Sequence, residues 1–109
     1  MDSVFIGQND TAPDIELQLF APGGAPMDLT SAVSVELRVV DAQLSPVFSG
    51  MCTVFDAENG WVRYEWQADD TAEAGTFLGK FIVTFADQRM TVPNNGGTRI
   101  VVDREYAAG

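Results

Sequence analysis

The sequence predicts an all-β protein, one antiparallel β-sandwich of seven to eight strands across its 109 residues. Three observations carry that expectation. Apolar and polar residues alternate with period two in segment after segment, as in strands with one buried face. Breaks rich in Gly, Pro, Asn and Asp separate those segments at short intervals. No stretch of ten or more residues shows the stripe of an amphipathic helix. A domain of this size buries roughly 65% of its unfolded surface. With 46% apolar residues, seven Phe, two Trp and two Tyr, the chain can fill a core without metal or disulfide.

Residues 1–12 read as a short N-terminal arm, in which Phe5 and Ile6, ahead of Pro13, are candidates to dock on a neighbour. "DIELQLF" (14–20) sets Ile15, Leu17 and Leu19 against Glu16 and Gln18. After "APGGAP" (21–26), "LTSA" (29–32) offers one helical turn, and "SVELRVVD" (34–41) buries Val35, Leu37 and Val39. "LSP" (44–46) breaks the chain before "MCTVFD" (51–56). Asn59-Gly60 then marks a hairpin into "WVRYEWQ" (61–67), with Val62, Tyr64 and Trp66 inward, because both turn residues tolerate positive φ. "DTAEA" (70–74) is a second one-turn candidate. "TFLGKFIVTF" (76–85) places Phe77, Phe81, Val83 and Phe85 on the core face with Gly79. "ADQR" (86–89) and "PNNGG" (93–97) are loops, and "TRIVVD" (98–103) turns Ile100 and Val102 inward before a tail at 104–109.

A net charge of −10, with six basic residues, argues against nucleic acid and against anionic membrane surfaces. No apolar run approaches the ~20 residues of a membrane span. "MDSVFIGQND" lacks a basic region followed by an apolar one, so no signal peptide is expected and synthesis in the cytoplasm is. The single cysteine, Cys52, excludes an internal disulfide and reads as a small apolar filler. The absence of histidine removes Ser-His-Asp and Cys-His catalysis and the common zinc sites, so neither an enzyme nor a cofactor is expected.

Asp69 and Asp70 are adjacent, so a turn would point them apart instead of across a cleft as glycoside hydrolysis needs. They read as the cap of a turn. "DAENG" (56–60) approaches a calcium loop but is one residue short and lacks the closing Glu, and a hairpin turn explains it. Asn9, Asp10 and Asp14 could supply oxygen ligands only beside another loop. "PGGAP" and "PNNGG" do not lead from strand to helix, so they form no phosphate cradle. Opposite the core, Leu78 and Ile82 on one strand and Val101 on the last would join into an apolar patch if those strands are neighbours, marking a protein contact. Trp61, beside a loop, is the candidate for stacking on a ligand.

"GQNDTAPDIELQLFAPGGAPMDLTSAVSVELRVVD", "ENGWVRYEWQADDTAEAGTFLGKFIVTF" and "TVPNNGGTRIVV" together resemble the N-terminal domain of bacteriophage baseplate upper proteins over roughly residues 7–102. The resemblance implies an immunoglobulin-like sandwich. "EAGTFLG" is similar to the corner before that fold's sixth strand, with Phe77 where a tyrosine caps the corner and Gly79 where a cysteine stands; the corner's hydroxyl bond is then missing. It also implies a non-enzymatic virion structural protein of the tail or baseplate, binding other virion proteins in several copies around a symmetric assembly. A capsid decoration or head-fibre protein and a carbohydrate- or cell-surface-binding module are the alternatives.

Overall fold

The computed structural model describes residues 3–92 and 98–104. They form nine strands: β1 (Ser3–Gly7), β2 (Ile15–Gln18), β3 (Ala32–Val40), β4 (Pro46–Met51), β5 (Thr53–Asp56), β6 (Trp61–Tyr64), β7 (Gly75–Phe85), β8 (Arg89–Val92) and β9 (Thr98–Asp103). The large sheet runs β1-β9-β7-β3-β4, and β8 joins the far half of β7. The small sheet runs β2-β6-β5. The protein is thus the expected immunoglobulin-like β-sandwich, with more strands than the seven to eight read from the sequence.

The alternation assigns the faces as expected. Val35, Leu37, Val39, Phe77, Phe81, Val83, Ile100 and Val102 from the large sheet meet Ile15, Leu19, Val62, Tyr64 and Trp66 from the small-sheet layer in one buried core. Leu17, Phe48, Val54 and Phe85 pack against it partly buried. Tyr64 and Trp66 meet edge-on at 5.8 Å between centroids, and Phe48 lies 5.9 Å from each.

Three expectations are corrected. Residues 3–7 are no arm: β1 pairs in parallel with β9, with Ser3 opposite Arg99 and Gly7 opposite Asp103. The parallel pairing turns Ile6 inward, where it is 5% exposed, so it cannot dock on a neighbour, while Phe5 stays 61% exposed. Neither one-turn helix forms. Residues 29–32 close as a turn with Ala32 N–H on the Leu29 carbonyl, and Asp69, at φ 78°, breaks any helix at 70–74. A 3-10 turn, Ala57–Asn59, lies instead in the β5–β6 hairpin, where Gly60, at φ 78°, takes the left-handed conformation and Asn59 does not. The "PNNGG" loop and residues 105–109 of the tail lie outside the described residues.

Candidate functional site

The corner at 67–75 holds the acid pair. Asp70 Oδ2 accepts the Gln67 N–H at 2.8 Å and the Tyr64 hydroxyl at 2.5 Å. Thr71, fully buried, gives its hydroxyl to the Asp10 carbonyl, while Asn9 N–H and the Gln8 amide reach the Thr71 and Ala72 carbonyls. The carboxylate of Asp70 is therefore used in closing the corner, but not as the expected cap: the N–H it accepts belongs to Gln67, three residues before it, where a cap takes one from a residue after it. The sequence reading that the corner lacks a hydroxyl bond is corrected, since Tyr64, from β6, supplies it. Burial and the Asp70 carboxylate raise the Tyr64 phenol above its ordinary value of 10.0, and burial pushes the Cys52 thiol from 9.0 up to about 12. Both groups stay neutral in the fold. Their contribution to stability is complete below pH 9 and is lost as pH rises through the raised values. The urea midpoint at pH 10.5 should thus fall below that at pH 8, with Cys52→Ala reducing the difference; equal midpoints would refute it.

Trp61 lies half-buried on the outer face of the small sheet, 6.1 Å from the Phe55 ring. The Arg63 guanidinium covers Phe55 at 4.8 Å and pairs with Glu16 at 2.7 Å. Trp61 also borders a shallow depression of about 320 Å³ with Ser3, Glu16, Leu17, Gln18 and Phe20. Phe55, with Arg63 over it, thus stands beside the Trp61 ring, an adjacency that no short window of sequence shows. Among the described residues no three His, Cys, Asp or Glu side chains gather as a metal site. Asp56, the first carboxylate of "DAENG", accepts instead from the Asn59 amide at 3.2 Å.

The outer face of the large sheet brings together more of the expected interface. Leu78 lies opposite Val40 on β3 and Arg99 on β9; Val101 lies between Thr76 on β7 and Phe5 on β1. Leu78, Val101 and Phe5 thus share one face, with Phe5 and Val101 register partners and Leu78 diagonal to Val101. Ile82 is on that face too, but it is only 7% exposed, flanked by Glu36 and Thr91. It stands apart from the inner core cluster. The expectation that Ile82 offers exposed apolar surface is corrected: strands on both sides cover it.

What the apolar pattern did not reveal is the charge. Cross-strand pairing puts Arg38 beside Lys80, Arg99 beside Leu78, and Arg89 beside Thr84, all facing outward. Four of the chain's six cations occupy this face. Arg38 is held by Glu36 at 2.7 Å, whereas Lys80, Arg89 and Arg99 have no carboxylate partner among the described residues.

No protein-family model and no curated protein matches the chain. Among solved structures, the fold is similar to CopC from Methylosinus trichosporium OB3b, with a TM-score of 0.53 and 12% identity, over 100% of this chain and 91% of that one. At that identity the likeness shows the fold alone. The neighbour named here is CopC, not a virion protein, so the expected role as a phage tail or baseplate structural protein is corrected and carried no further.

Proposed function

We propose that this chain is a non-catalytic recognition domain whose large sheet binds an acidic surface of a protein partner. One observation carries the reading: in a chain of net charge −10, four of six cations stand on one sheet face, three of them without a carboxylate partner among the described residues. Phe5, Leu78 and Val101 lie among them. Apolar area supplies affinity, and unpaired charges steer the approach and fix the register. The occupation of Asp70 in closing the corner supports the non-catalytic part.

A random peptide library displayed on yeast, panned against the wild type and against Lys80→Glu/Arg99→Glu, tests this. The wild type should enrich peptides mixing acidic and aliphatic residues, with capture weakening as salt rises. The double variant should lose them. Enrichment of the same peptides by both proteins would sink the reading.

A further inference from the structure

The edge of β4 away from β3 is open, and it borders the cationic face where Ser49 lies opposite Arg38. Between Asp41 and Asp56 the chain carries no charged residue over fourteen positions, in a protein where 20% of residues are charged. That stretch includes β4, which pairs with β3 on one side and with no described strand on the other. Sheet edges are ordinarily blunted by Lys, by Pro or by a bulge. Here Pro46 and the register shift at Val39/Val40 blunt only the start of the strand. The rest is bare, with Val47 36% and Met51 60% exposed.

The ladder fixes which backbone groups face outward. Cys52 N–H bonds to the Val35 carbonyl at 2.8 Å, so Gly50, two residues back, also bonds toward β3. The N–H and C=O of the alternate residues, Ser49 and Met51, therefore point to the open edge. Between them, Gly50 has no side chain, and a Cβ there would come within 2.6 Å of the Tyr64 ring.

We infer that this edge pairs with the same edge of a second copy of the chain, antiparallel, across a two-fold axis at Gly50. In that register Ser49 of each copy meets Met51 of the other. Four backbone hydrogen bonds form, and two glycines face each other at the axis, where the Cα atoms come to about 4.5 Å. The exposed Met51 side chain lies over Ser49 of the second copy and beside its Val47. The edge is its own complement: Ser49 and Met51 offer the donors and acceptors that the same two residues of a second copy need. Two chains of net −10 repel each other over most of their surfaces, and this strip carries no carboxylate to meet its own image across the axis. The contact is small, so the dimer is weak, with a Kd on the order of 100 µM.

Sedimentation equilibrium of the whole chain up to about 1 mM, at low and at high salt, tests it. A dimer that tightens with salt is expected, because screening removes the general repulsion. Ser49→Pro, which deletes one outward N–H, and Met51→Lys should each weaken it at least tenfold, with thermal midpoints near the wild type. The amides of Ser49 and Met51 should exchange more slowly as concentration rises. A monomer at both salts, or a dimer indifferent to both variants, would overturn the inference. So would a dimer that loosens with salt, since that would mean the cationic face had seated on a second copy. If Ser49→Pro does not fold, Met51→Lys alone decides. Loss of peptide capture by the Lys80/Arg99 variant would leave this result unmoved, so the two readings fail separately.

Discussion

Truncating Trp66 to alanine is expected to cost about 3–5 kcal/mol of stability. That is a large share of the 5–15 kcal/mol typical of a domain. Trp66 lies just past the end of β6 but keeps that strand's alternation, so its ring enters the core at 5% exposure. It meets Tyr64 edge-on and Phe48 at a tilt, contacts that add to simple burial. Its Nε1–H donates to the Pro13 carbonyl at 2.9 Å, holding the segment before β2 against the core. Alanine leaves a cavity among the aromatic rings and strips that carbonyl of its donor. Trp66→Phe keeps most of the volume and loses the hydrogen bond, at a cost of about 1–2 kcal/mol. Urea titrations of the three proteins measure both differences. A near-neutral Trp66→Ala would mean that the cluster collapses around the gap, or that the face assignment is wrong.

Gly60→Ala should cost about 3 kcal/mol or more, although it adds a single methyl group. Two effects combine. Gly60 sits at φ 78°, in the left-handed region, where an L-residue loses roughly 1–2 kcal/mol. An added Cβ would also lie 2.6 Å from the Leu19 carbonyl oxygen and 2.8 Å from that of Met27. Those oxygens are backbone and cannot swing aside: Leu19 N–H bonds to the Gly60 carbonyl at 2.8 Å, and Met27 N–H bonds to the Leu19 carbonyl at 2.8 Å. The methyl group therefore pries apart the β5–β6 hairpin and the chain leaving β2. Gly24 provides the control, since its φ is 93° and no atom lies within 4 Å of an added Cβ. Gly24→Ala should show the conformational cost alone. If both variants unfold at the same urea concentration, the steric half of the argument fails.

Side-chain alternation was readable along the whole chain because a strand's two faces follow from local sequence. Val35, Leu37, Val62, Tyr64, Phe81 and Val83 all point where period two sends them. Pairing is non-local, and there the sequence was silent. "SVFIG" read as an arm because nothing near it marks β9, almost a hundred residues on, as its partner. Ile82 read as exposed because its cover comes from Glu36 and Thr91, on strands whose adjacency no short window shows. Leu78 and Val101 were legible as outward, and the pairing of β7 with β9 makes them neighbours. The cations between them were plain in the sequence. Their gathering on one face appeared only when β3, β7, β8 and β9 were laid side by side. The hydroxyl tie at the corner was missed because it was sought on Phe77, whereas the tyrosine that makes it stands thirteen residues earlier.

The parallel pairing of β1 with β9 decides how this domain would respond to force. Chain entering at Ser3 and chain leaving at Asp103 emerge from opposite ends of two adjacent strands that run the same way. Tension between those points draws β1 and β9 past each other along their length, so the bonds joining them are stressed together and not peeled one by one. Rupture then needs the whole ribbon to slip at once, which makes the unfolding rate under load, more than the equilibrium stability, the measure of its strength. An antiparallel partner for β1 would have put both attachment points at the same end, and the strands would have opened like a zip.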